Sequence, residues 1–119
     1  MKNVVVIGAS PNEDRYSNKA VKKLQKYAYK VFPVGIRKGT INDLEIITER
    51  PKVDEVYAVS LYVGPAKQPE WYDYILSLNP KRLFLNPGTE NPELEQLANE
   101  KGIEVVKFCT LVALDTNMF

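Results

Sequence analysis

The chain alternates uninterrupted apolar runs with stretches whose apolar residues recur every three or four positions. Val4, Val5, Val6 and Ile7 form a continuous apolar run ending at Gly8, as expected of a strand covered on both faces. Residues 17–29 place Ala20, Val21, Leu24, Tyr27 and Ala28 at helical spacing, with Lys19, Lys22, Lys23 and Lys26 between them and Ser17 as the expected N-cap. Residues 30–34 predict a second strand and residues 38–42 a short third one. Residues 43–51 read as a short irregular or helical crossover. A strand with a polar end follows at 54–63, and Trp71, Tyr74, Ile75 and Leu78 predict a helix over 70–78. Residues 81–86 predict another strand. Residues 91–102 carry helix end signals: Asn91 as cap, Pro92 at the first helical position, Glu93 in the first turn and Gly102 as the stop. Residues 103–108 read as the last long strand, and 109–119 as a segment packed on the body.

Strands separated by helices imply parallel pairing through right-handed crossovers. The expected architecture is a three-layer α/β Rossmann-like domain with a parallel sheet of about five strands, occupying residues 1–119 as one domain. In such sheets ligands lie beyond the carboxyl ends of the strands, where the strand order reverses. That directs attention to the loops at 8–18, 33–39, 60–68, 86–91 and 109–112.

Composition narrows the chemistry. A length of 119 residues suits one domain, and a formal net charge of +1 gives no electrostatic footprint for nucleic acid. No apolar segment approaches a membrane span, and the first apolar run is too short for a signal peptide. Cys109 is the one cysteine, so no intramolecular disulfide can form and a reducing compartment is the simplest reading. The expectation is a soluble cytoplasmic protein. With no histidine in the chain, Ser–His and Cys–His pairs are excluded and most zinc sites with them; no metal ligands and no catalytic residues are assigned.

The loop after the first strand begins as a phosphate-binding turn and then departs from the dinucleotide pattern. Gly8 allows close backbone approach, but the second and third glycines of G-x-G-x-x-G are absent. Ser10, Asn12, Arg15, Ser17 and Asn18 take their region. A helix N-terminus attracts anions, Ser10, Ser17 and Asn18 supply neutral donors, and Arg15 supplies a forked cation. The bland reading is a capping Ser17 and a solvated Arg15. The end of the second strand lacks the carboxylate that binds the ribose of NAD; it offers Arg37 and Lys38 instead. Unless these are plain surface charges, they suit a nucleotide with an extra ribose phosphate, which is to say NADP or coenzyme A.

Residues 6–35, the S-L-Y-V-G-P stretch at 60–65, residues 84–106 and C-T-L-V at 109–112 together resemble the small stand-alone CoA-binding domain proteins. These are similar to the N-terminal CoA-binding domain of the succinyl-CoA synthetase α subunit. The resemblance implies that Gly8, Ala9, Ser10, Arg15, Ser17 and Asn18 surround the diphosphate. It implies Pro33, Val34, Gly35 and Arg37, with Lys38 adjoining, beside the adenosine and its ribose phosphate. Ser60, Leu61, Tyr62 and Pro65 would line the pantetheine path, with Asn86, Pro87 and Gly88 opposite. Many relatives read P-V-N-P where this chain reads P-V-G-I at 33–36. The synthetase subunit has a further domain with an active-site histidine, so this chain is not that enzyme by itself.

The expected function is therefore binding of coenzyme A or an acyl-CoA, as a non-catalytic binding or regulatory module. A minimal NADP-dependent oxidoreductase is the alternative. A third reading is a thiol-reactive protein in which Cys109 forms a mixed disulfide with coenzyme A. Glu90 is the one acid placed at the expected crevice. A homodimer or an acyl-CoA enzyme are the candidate partners; nucleic acid and membrane are not.

Overall fold

A computed structural model describes residues 1–119. In chain order the elements are β1 (Asn3–Ile7), α1 (Tyr16–Lys26), β2 (Lys30–Val34), β3 (Thr40–Ile41), β4 (Leu44–Glu45), β5 (Val56–Leu61), a 3-10 turn (Gln68–Trp71), α2 (Tyr72–Leu78), β6 (Arg82–Leu85), α3 (Pro92–Glu100), β7 (Glu104–Val106) and α4 (Thr110–Asp115). The main sheet has the order β2-β1-β5-β6-β7, and every pairing in it is parallel. The chain runs outward from β1 to β2, then returns to place β5 on the other side of β1. The order therefore reverses between β1 and β5, which makes their carboxyl ends the switch point of a Rossmann-like sheet.

The alternation of side chains along each strand divides the core into two layers. Val5 and Ile7 face α2 and α3 with Val59, Leu61, Leu83 and Leu85. Val4 and Val6 face α1 and α4 with Ala58 and Phe84. Each buried aliphatic side chain contributes about 1.5–3 kcal/mol relative to exposure, so the central strands anchor the domain from both faces. The C-terminal residue belongs to the second layer. Phe119 stacks on Phe84 with ring centroids 4.5 Å apart and meets Tyr29 edge-on at 5.4 Å.

Four local features differ from expectation. Helix α1 starts at Tyr16 with Arg15 in the cap position, and no side chain caps it. Ser17 is not the cap: it falls in phase with Ala20, Val21 and Leu24 and turns into the buried face. The crossover at 43–51 is neither helical nor irregular throughout. Asn42, with φ +54°, and Asp43 make a two-residue turn that pairs β3 with β4, and Ile47 then runs beside β2, bridging Val34. The strand expected at 103–108 is restricted to Glu104–Val106. The one expected at 54–63 starts only at Val56, after Glu55 takes φ +51°. The terminal segment is helical over Thr110–Asp115.

Candidate functional site

Glycine geometry shapes the crevice at the carboxyl ends of β1 and β2. Gly8 has φ +94°, and a β-carbon there would come within 3.0 Å of the Tyr62 backbone carbon, so both conformation and crowding require glycine. The amides of Gly8 and Ala9 both donate to the Val34 carbonyl at 2.9 Å, tying the start of the first loop to the end of β2. Beyond β2 the chain folds back over that loop. A β-carbon on Gly35 would meet the Ala9 carbonyl oxygen at 2.3 Å, and one on Gly39 would meet the Pro11 β-carbon at 2.6 Å. The two loops that carry the expected phosphate groups are thus in direct contact.

The first loop is ordered by its own polar side chains. Ser10 Oγ accepts from the Asn12 amide at 3.1 Å, Asn12 Oδ1 from the Asp14 amide at 3.0 Å, and the Ser10 carbonyl from Asn18 Nδ2 at 2.9 Å. Asn18 is 1 % exposed, and its Oδ1 is buried with no partner. The amides of Tyr16 and Ser17, at the head of α1, find no acceptor in the protein. Arg15, Arg37 and Lys38 are exposed, and none is within ion-pair reach of a carboxylate. Glu13, on the same loop, is drawn away to Lys22 at 3.4 Å.

A second polar group lies across the ends of β5 and β6. Ser60 and Thr110 share a hydrogen bond of 2.8 Å. Asn86 Nδ2 donates to Ser60 Oγ at 3.0 Å and to the Leu61 carbonyl at 2.9 Å, while its Oδ1 accepts from the Thr110 amide at 2.8 Å. Asn86 therefore joins β5, β6 and the first residue of α4, and its amide is committed to the protein. Thr89 is committed likewise, donating to the Asn86 carbonyl at 2.7 Å. Tyr62 follows β5 beside Gly8. Burial pushes its phenol up to about 12, with the Ser60 and Thr110 hydroxyls opposing that shift. Neither reaches hydrogen-bonding geometry, so the Tyr62 hydroxyl is buried without a partner.

Gln68, which the sequence reading did not single out, fastens the loops beyond β5 and β6. It is fully buried; its Nε2 donates to the carbonyls of Val63 and Thr89, both at 2.7 Å, and its Oε1 accepts from Asn91 Nδ2 at 2.9 Å. Nothing in its sequence neighbourhood marks it, because the Thr89 carbonyl and Asn91, 21 and 23 residues away, are brought to it by tertiary structure.

The structure brings Gly8, Ala9, Ser10, Arg15, Ser17 and Asn18 together with Gly35, Arg37 and Lys38 on one side of the switch point. It gathers Ser60, Tyr62 and Asn86 with Thr110 on the other. The side chains of Val34 and Leu61 are closed into the core, and Pro33 is buried as well. Pro65, Pro87 and Gly88 are exposed. Glu90 points its carboxylate back at the Gly88 amide, accepting at 2.7 Å. Cys109 is half-buried immediately before α4, close enough for its charge to raise Tyr62 further.

Sheet order, helix placement and the glycine turn at the switch point define the Rossmann-like class. Within it, the chain belongs to the CoA binding domain family, whose model matches residues 2–115. The chain is similar, at 45% identity and TM-score 0.97, to a solved protein described only as uncharacterized; the match covers 100% of this chain and 98% of that one. A structure from Thermus thermophilus matches at 24% identity and TM-score 0.86, over 99% of this chain and 90% of that one. A dinucleotide-forming acetyl-coenzyme A synthetase of Ca. Korarchaeum cryptofilum, solved with phosphate and ADP, matches at 20% identity and TM-score 0.71. That match covers 89% of this chain and 25% of the larger one. The last two likenesses show the shared fold. None of the curated proteins matches this chain. No helix is long and apolar enough to cross a membrane.

Proposed function

We propose that the crevice at the carboxyl ends of β1, β2, β5 and β6 binds coenzyme A or an acyl-CoA, and that the protein serves as a binding or regulatory module for it. The observation that carries this reading is the seating of loop 35–39 on loop 8–15. That contact joins the loop carrying Arg37 and Lys38, neither of them ion-paired, to the loop that leads to the unpaired Arg15 and the free amides at the head of α1. Coenzyme A has the matching charges: a diphosphate for the helix head and Arg15, and a ribose 3′-phosphate for Arg37 and Lys38. The buried, partnerless Asn18 Oδ1 and Tyr62 hydroxyl give the neutral part of such a ligand polar contacts to complete. Family membership supports the choice of coenzyme A over NADP, which also carries a ribose phosphate.

Thermal unfolding with coenzyme A, 3′-dephospho-CoA, NADPH and NADH tests the proposal. A ligand at a hundred times its dissociation constant stabilises by about 2.7 kcal/mol. The expected result is a rise in Tm with coenzyme A that shrinks without the 3′-phosphate. A rise with NADPH alone would make the protein an NADP-binding one instead.

A further inference from the structure

A cleft of about 920 Å³ lies at the amino ends of β1 and β5, the end of the sheet remote from the crevice. The six residues of β5 separate the two by about 20 Å. Its walls carry Lys2, Arg50, Lys52 and Lys81, against only two acids, Asp54 and Glu55.

Aromatic faces, rather than the cleft's own acids, hold two of these cations. Lys2 Nζ sits 4.1 Å from the centre of the Tyr57 ring. The Arg50 guanidinium lies 4.0 Å from that of Trp71, donates to the Glu70 carbonyl, and has the Glu70 carboxylate only at 3.9 Å. A cation over a ring is positioned but keeps its full charge. Lys2, Lys52 and Lys81 form no ion pair at all, although Asp54 and Glu55 line the same cleft. Val53, Leu78 and the Tyr57 ring supply apolar wall between the charges.

Concavity, preset cations and excess positive charge are the ingredients of an anion site. We infer that this cleft is a second ligand site, independent of the coenzyme A reading, for a small oxyanion of charge −2 or more. Phosphates and polycarboxylates share that chemistry. Lysine favours both as a point charge, while the exposed part of the Arg50 fork favours planar or tetrahedral oxygens.

Trp71 is the only tryptophan in the chain, so its emission reports directly on Arg50. Titration with tripolyphosphate, and separately with citrate, is expected to change that emission saturably at low salt, with affinity falling as salt rises. The double variant Lys52→Glu/Lys81→Glu should lose at least tenfold in affinity. Both side chains are exposed and make no hydrogen bond, so its Tm without anion should stay near that of the parent. Lys67→Glu, beyond the carboxyl end of β5 at the opposite end of the sheet, should bind as the parent does. A response to one anion alone would assign the site to that class. The absence of a saturable response to either would overturn the inference. So would survival of the response in the double variant, or an equal loss in Lys67→Glu, which would reduce it to overall charge.

Discussion

Gly35 lies so close to the Ala9 carbonyl that a β-carbon on it would meet the oxygen at 2.3 Å. The contact holds the basic turn after β2 down on the turn after β1. A side chain at residue 35 would force the two turns apart.

Gly35→Ala is therefore expected to lift loop 35–39, with a cost of about 1–3 kcal/mol for forced overpacking. Affinity for coenzyme A should fall with it. Gly64→Ala is the matched control, since a β-carbon there has nothing within 4 Å and should change neither quantity. Urea unfolding and calorimetric titration of the two variants check both expectations.

Arg37→Glu should separate the phosphates. A charge-assisted hydrogen bond is worth about 1.5–3 kcal/mol, so coenzyme A should bind roughly ten- to a hundredfold more weakly while 3′-dephospho-CoA is little affected. Equal weakening of both would remove Arg37 from the 3′-phosphate.

Asn86→Ala tests the tie beneath the crevice. It deletes the bonds to Ser60, the Leu61 carbonyl and the Thr110 amide, leaving buried polar groups unpaired. The expected destabilisation is about 2–4 kcal/mol, read from the urea midpoint. Asn86→Asp retains an acceptor for the Thr110 amide but loses both donors and adds a buried charge, so it should not restore stability.

Two tyrosines set an alkaline limit. Burial pushes Tyr62 and Tyr74 up to about 12, from an ordinary value of 10.0. Tyr74 also donates to the Pro51 carbonyl at 2.7 Å, while Arg50 opposes its shift. The unfolded chain gives up these protons first. Their stabilising contribution is thus whole below the ordinary value and disappears as pH rises through the folded one. The urea midpoint should fall across that interval, less steeply in Tyr62→Phe. Tyrosinate absorbance of the native protein should show a late step that Tyr62→Phe and Tyr74→Phe each reduce.

Where burial is two-sided, the chain announces its own structure. The run Val4–Ile7 has no polar phase to mislead, and the caps of α3 are chemical: Asn91 Oδ1 accepts from the Glu93 amide at 3.1 Å, as its position implies. Ser17 misleads because its residue type suits a cap while its helical phase, shared with Ala20, Val21 and Leu24, puts it inside. The β3–β4 hairpin was signalled only by Asn42–Asp43 between Ile41 and Leu44, and its strands of two residues are too short to show a period. Around the crevice, the residues that adjoin the turns of β1 and β2 could be read in order along the chain. Gln68 and the role of Thr110 could not, because their partners lie 21 and 24 residues away and are chosen by sheet register.

The placement of Phe119 bears on the order in which the molecule can close. Residues 1–109 contain every strand, yet Phe84 lacks its stacking partner, and Tyr57 the 2.9 Å acceptor for its hydroxyl, until Phe119 docks. Until residues 110–119 dock, that face of the sheet is covered only by α1 and the segment around the β3–β4 hairpin. A variant lacking residues 110–119 should therefore keep every strand yet expose Phe84, and be prone to aggregation.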